Sequence, residues 1–234
     1  MLDLWAAAAF FLAIHLAVSG TRLRDRITGA IGETPYMALF SLASLGGIVW
    51  LVMAFNAAQF EANRLYWVAP AWLAHLTPLV MIVAFLSAVI GLTTPNPTAV
   101  KAEGLLDQPE SIRGMLRITR HPFLWGVMLW AAMHIAVNGD KAAIIFFGTF
   151  LLLAALGTIS IDEKRRRKLG PKWEAFAHAT SNLPFAAILS GRNRLAAGEL
   201  GWWRILAALA AFGAIFYGHL WLFGVSPVPG WTPG

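Results

Sequence analysis

Two histidines stand inside apolar sequence, where an ionisable side chain is costly. His134 lies in the run Pro122–Val137, with Trp130 one turn before it and Asn138 one turn after, a polar stripe on an apolar rod. His15 lies in Leu2–Val18, with Ser19 one turn on. Such groups at membrane depth usually face a bundle interior, a cavity or a ligand. No apolar run holds an internal Asp or Glu, since Asp3 and the Asp162–Glu163 pair are terminal. That argues against a proton relay, a cation transporter and a hydrolase. The chain has no cysteine, which removes disulfides, iron–sulfur ligation, thiolate catalysis and a cysteine haem ligand. Zinc favours three or four ligands, and this depth offers two. Two neutral imidazoles facing each other do suit a b-type haem held by axial histidines. Histidines satisfied by their neighbours are the other reading, and the residues alone leave both open. For a haem, Trp130, Phe11 and Phe123 are expected to line the slot, and Arg22, Arg117 and Arg120 to meet the propionates at the cytoplasmic surface.

The elements that would position these residues are membrane helices. Of the 234 residues 58% are hydrophobic and 13% charged, against about 25% charged in a soluble domain. A spanning helix needs roughly 17–25 apolar residues. Six segments qualify, at about 2–18, 35–55, 69–92, 122–137, 142–161 and 201–223, so the expected fold is an all-α, polytopic integral membrane bundle forming a single domain over 1–234. The first run has no basic n-region and no cleavage signature, and is read as a helix rather than a signal peptide.

Charge sets the expected topology. Every Lys and Arg except Arg64 and Lys141 falls in the stretches 20–34, 93–121 and 162–204. The positive-inside rule makes these cytoplasmic and puts both termini outside. The net charge of +6 is then largely a topology signal, and no nucleic-acid partner is expected. At 1.5 Å per residue, His15 lies about 18 Å below the outer end of its helix, and His134 about 18 Å above the inner end of its own. In a hydrocarbon core about 30 Å thick the two meet near the midplane.

Between the spans, Pro109–Glu110 is expected to start a short helix running through Arg113 and Arg117. The cytoplasmic segment 162–200 is read as amphipathic, broken at Gly170–Pro171, with Trp173, Phe176 and Ala177 forming one face of a helix on the membrane surface. The piece Asn182–Gly191 is too short to span. His75 and His219 are read as interface residues, and His178 as solvated.

Several pieces together carry a family resemblance: His15 with Ser19-Gly20 and Leu23-Arg24, then Thr119-Arg120-His121-Pro122, Trp130 with His134, and Pro184-Phe-Ala-Ala-Ile-Leu with Gly191-Arg192. The chain resembles the NnrU family of bacterial membrane proteins, whose plant relative is 15-cis-ζ-carotene isomerase, a haem b enzyme. The resemblance implies axial ligands at His15 and His134, and a multi-pass protein of the bacterial inner membrane. Its function would be either redox-dependent polyene cis–trans isomerisation or a role linked to nitric oxide and denitrification. A lipophilic substrate would arrive laterally from the lipid bilayer. The plant enzyme has a cysteine shortly before the second histidine, where this chain has Ala131. A more distant resemblance, through Arg120-His121-Pro122 and Gly126, then Asp162-Glu163, Gly170, Trp173, Phe176 and Pro184, is to isoprenylcysteine carboxyl methyltransferases. It implies an alternative cofactor, S-adenosylmethionine, held by His121 and the acidic pair. A cofactor-free helical accessory protein is the third reading. The catalytic residues, and any protein partner, stay unassigned at this level.

Overall fold

The computed structural model describes residues 1–99, 102–108 and 111–230. Helix α1 (Leu2–Leu12) runs on as a π turn over Ala13–Val18. Helix α2 (Leu23–Ile31) follows, bent 79° from that first segment. Next come α3 (Glu33–Ala58), α4 (Ala71–Thr93), a 3₁₀ turn over Glu103–Asp107, and α5 (Met115–Ile118). The chain continues through α6 (Pro122–Asn138), α7 (Lys141–Leu169), α8 (Pro171–Ala179), α9 (Ala186–Leu189) and α10 (Trp202–Phe223).

Each apolar run read from the sequence is helical here, and four of the helices are long and apolar enough to cross a membrane: α3, α4, α7 and α10. The bent pair α1–α2 makes a fifth if it counts as one span. Helix α6 has 17 residues, at the lower edge of membrane length. The outward faces fit a lipid solvent. Helix α3 buries Leu51, Ala54 and Ala58 but exposes Leu39, Leu42, Leu45 and Met53 by 60–67%. An apolar face of that extent on a long helix marks a surface for lipid or partners.

Two compact units emerge from the packing, one of residues 1–70 with 131–160, the other of residues 71–130 with 161–234. In the first unit α1 packs on α3. Its loop 59–70 is closed against the α6–α7 connection by an isolated bridge, Leu65 to Asp140. Tyr66 N–H donates to the Gly139 carbonyl at 2.8 Å, and Trp67 Nε1 donates to the Ala136 carbonyl at 2.9 Å. Gly139 has φ +69, and a Cβ there would lie 2.1 Å from the Trp67 carbonyl oxygen, so the turn requires glycine.

In the second unit α4 packs along α10. Helix α7 continues unbroken past Asp162 to Leu169, so its apolar run and basic extension are one rod that ends at Gly170, φ +53. The surface-lying reading of the next helix is corrected: Trp173 and Phe176 of α8 are 0% and 3% exposed, buried within the unit. The helix expected from Pro109–Glu110 begins outside the described residues. Arg113 is not helical, and only the turn Met115–Ile118 forms, after Gly114 at φ +57.

Candidate functional site

Helix α1 gives way at Ala13 to the π turn that carries His15. Ser19 N–H donates to the carbonyl of Ile14, five residues back, at 3.0 Å. Single-turn π segments concentrate at functional sites. The His15 Nδ1 lies 2.8 Å from the Phe11 carbonyl oxygen. A carbonyl only accepts, so Nδ1 carries the proton and the lone pair stays on Nε2, the arrangement of a ligating histidine with its outer partner in place. Gly20 closes the turn, where a Cβ would lie 2.2 Å from the Leu16 carbonyl oxygen.

Around His15 the neighbours are rings. Phe11 lies 4.4 Å away, centroid to centroid, and Phe40 5.2 Å edge-on. From Phe11 successive contacts lead to Phe150 at 5.8 Å, to Phe146 at 5.3 Å and to Phe147 at 5.1 Å. Phe147 then stacks on His134 at 4.7 Å and 26°. Phe55 joins the array against Phe146 at 4.4 Å. His15 and His134 therefore belong to one unit and bound one chain of aromatic rings. Both are half-buried. Asn138 does not serve the His134 imidazole: its Nδ2 donates to the His134 main-chain carbonyl at 2.7 Å. On the far side of Phe40 stands Tyr36, 5.9 Å away and stacked, 5% exposed, with a hydroxyl that has no hydrogen-bond partner.

The His15 donor suits an imidazole-ligated iron, whereas the phenylalanines fill the space between the two imidazoles. The rings that join the imidazoles are also those that a ligand bridging both has to displace. No cluster of three or more metal-type side chains occurs among the described residues.

The second constellation lies in the other unit. Pro122 opens α6 and keeps His121 before it out of helical conformation. Thr119, also extended, turns the strap Thr119–His121 back toward α7. Asp162, on α7, accepts from Arg120 Nε at 3.0 Å through both oxygens, from Arg120 Nη2, and from His121 Nε2 at 2.7 Å. The His121 side chain is 1% exposed and that of Asp162 11%. The strap's main chain is tied down as well. Arg120 N–H donates to Ser181, Asn96 Nδ2 donates to the Arg120 carbonyl, and Thr119 Oγ1 and Trp125 Nε1 both donate to the Asn182 carbonyl. Phe185, the one described non-glycine residue with positive φ (65°), donates its N–H to the Ile118 carbonyl. Arg117 forks onto Glu199 at 2.7 and 2.9 Å and reaches Asn193 at 3.0 Å. The Arg117 guanidinium holds the Glu199 carboxyl below the usual carboxylate range.

The predicted site residues thus fall into two groups. His15 and His134 stand at opposite ends of the array, with Phe11, Phe150, Phe146 and Phe147 between them. Arg120 and His121 come together on Asp162, while Arg117 is taken by Glu199, so two of the three guanidiniums expected at propionates are engaged by carboxylates of the chain itself. Arg22 is exposed at the start of α2, and Trp130 is half-buried on α6. Phe123, expected in the slot, is 40% exposed. Of the acidic pair, Asp162 alone faces His121; Glu163 pairs with Arg166 and Arg167 on the exposed side. Tyr36, Phe40, Phe146, Phe147 and Phe150 were not singled out by sequence, because nothing in an apolar run marks which of its rings face a histidine.

A family model described as NnrU protein matches residues 3–227. Among curated proteins, the 15-cis-zeta-carotene isomerase, chloroplastic, of Zea mays is 26% identical over 188 residues, which cover 79% of this chain and 50% of that protein. The enzyme of the same description from Arabidopsis thaliana is 24% identical over the same shares. The chain spans about half the length of the curated relatives it matches. No solved structure matches.

Proposed function

As the chain belongs to the NnrU family, we propose that it is an integral membrane protein of the polyene cis–trans isomerase type that holds a b-type haem at His15 and His134. The observation that carries this reading is the ring array of one unit, bounded by both histidines and made of Phe11, Phe150, Phe146 and Phe147. The likeness to the two chloroplast isomerases supports the substrate class. Haem, when bound, would supply a redox-active iron, and His15 and His134 would hold it. His15 keeps its Nε2 lone pair toward that role because Nδ1 is held by the Phe11 carbonyl. The phenylalanines exclude water and offer offset and edge contacts to a conjugated chain. The lipid-exposed faces of α1 and α3 let a hydrocarbon substrate arrive from the bilayer. In this reading the protein crosses a bacterial inner membrane six times, with α1–π and α6 as the two short spans and both termini outside.

The test is turnover. Detergent-purified protein loaded with haem is incubated with a 15-cis polyene under reducing and oxidising conditions, and the isomers are separated by chromatography. Redox-dependent loss of the 15-cis isomer, abolished in His134→Ala, is expected. Haem-loaded protein that binds nitric oxide but leaves the polyene unchanged would move the chain to the nitric-oxide reading. Methyl transfer from S-adenosylmethionine that survives in the His15→Ala, His134→Ala double variant would overturn the haem reading altogether.

A further inference from the structure

At one end of the first unit lies a cavity of about 310 Å³, walled by Trp5, Tyr66, Trp67, Ile144 and Ile145, with Lys141 at its edge. That volume is at the lower end of ligand-site size. The two basic residues outside the three basic stretches of the sequence, Arg64 and Lys141, meet here. The bridge between Leu65 and Asp140 brings their backbones together, and Lys141 N–H donates to the Arg64 carbonyl at 2.9 Å. The Arg64 guanidinium lies over the Tyr66 ring, 5.2 Å from its centroid, on the wall of the cavity.

Nearby carboxylates are already engaged. Asp140 Oδ1 accepts from Asn63 Nδ2 at 2.8 Å and from Ala143 N–H at 2.9 Å, capping α7. Glu61 takes the Met1 amine, and Asp3 accepts from the Trp50 indole at 3.0 Å. Among the described residues neither Arg64 nor Lys141 meets an acidic side chain. Two cations without counter-charge therefore stand over an apolar, aromatic hollow. It lies where α3 and α7, both long enough to span, reach their ends, the level at which Trp and Tyr rings and lipid headgroups meet.

We infer that this hollow is a binding site for an acidic phospholipid. Its phosphate sits between Arg64 and Lys141, and the upper part of an acyl chain lies along Trp5, Trp67 and Ile145. A zwitterionic lipid brings its own cation to the same two side chains and is disfavoured. The site is independent of any ligand at His15 or His134.

Native mass spectrometry of the full chain, in detergent mixed with equal phosphatidylglycerol and phosphatidylcholine, tests the assignment. The wild type retains one phosphatidylglycerol in preference to phosphatidylcholine. Arg64→Gln or Lys141→Gln lowers its affinity about fivefold, and the double variant about thirtyfold. Arg26→Gln, which removes an exposed cation elsewhere in the unit, leaves it unchanged. Unaltered melting temperatures separate loss of the lipid from loss of the fold. Equal retention by the wild type and the double variant overturns the site, as does an equal loss in Arg26→Gln. Complete displacement by millimolar inorganic phosphate overturns it too, because the apolar wall would then contribute nothing, whereas resistance to phosphate supports the lipid as the source.

Discussion

His121 is 2% exposed and shares the carboxylate of Asp162 with Arg120, while His15 is half-buried among phenylalanines with one hydrogen bond, to a main-chain carbonyl. Around His121 charge is balanced, and the strap that carries it is bonded to segments 24 to 63 residues away. Around His15 and His134 the neighbours are rings, and a buried phenol two rings along, Tyr36, has no partner. The difference separates two uses of an imidazole in one chain. A histidine whose polar needs are met by the chain itself holds structure. His15 instead has its Nδ1 held by a main-chain carbonyl and sits among phenylalanines, with no charged partner among the described residues. Either motif alone would suggest a cofactor from sequence; the proposal of a haem at the array rests on this difference in hydrogen bonding.

That contrast breaks first at Asp162. Replacing it with Ala strands a mostly buried guanidinium and is expected to cost about 3–5 kcal/mol, read as a fall in the denaturation midpoint, with haem loading of the surviving folded fraction unchanged. Equal stability of Asp162→Ala and wild type would show that the clasp is not structural. Next is Gly139→Ala. A positive φ and a Cβ driven onto the Trp67 carbonyl should cost about 2–4 kcal/mol and expose the loop 59–70 to protease, while the Arg120 strap stays protected.

A smaller effect sharpens the comparison on the charged side. Partial burial pushes the Glu103 carboxyl up, but Lys168, its own backbone amide and Arg165 overcome this and hold it at about 2. A carboxylate depressed in the folded state contributes stability above its unfolded pKa of about 4.5. That contribution is lost as pH falls from there toward 2. Proteolysis of the turn Glu103–Asp107 should therefore be flat from pH 7 to 5 and rise only below about 4.5. A rise near neutrality would exclude Glu103 as the latch. The smallest change in stability belongs to His15→Ala. A half-buried side chain with one hydrogen bond should cost about 1 kcal/mol, while the spectrum of any bound chromophore should be lost or shifted.

Much of this arrangement was legible in the chain. The six apolar runs are helices, because length and hydropathy alone mark them, but the run 142–161 continues to Leu169. His15 and His134, the pair that depth counting singles out, both lie in the first unit, separated there by four phenylalanines. Other features carry no local signal. The π turn occupies Ala-Ile-His-Leu-Ala-Val, residues with no preference for it over an α turn. Asp162 and its partners are about 40 residues apart, so nothing in their neighbourhood marks which acid of the pair turns inward. Trp173 and Phe176 show how an apolar helix face misleads: three-residue spacing looks the same whether lipid or protein covers it, and here the protein does. Arg117 and Arg120 were assigned to an external anion because a sequence shows a cation without showing its partner.

The account rests most directly on a ligand held by both array histidines. The deciding measurement is the reduced-minus-oxidised absorption spectrum of the purified protein, recorded beside His15→Ala, His134→Ala and His121→Ala. A b-type spectrum that is lost or shifted in the first two variants and kept in the folded fraction of the third is the predicted result. A wild type that stays colourless after haem addition, or a haem spectrum that depends on His121 and ignores His15 and His134, would contradict it.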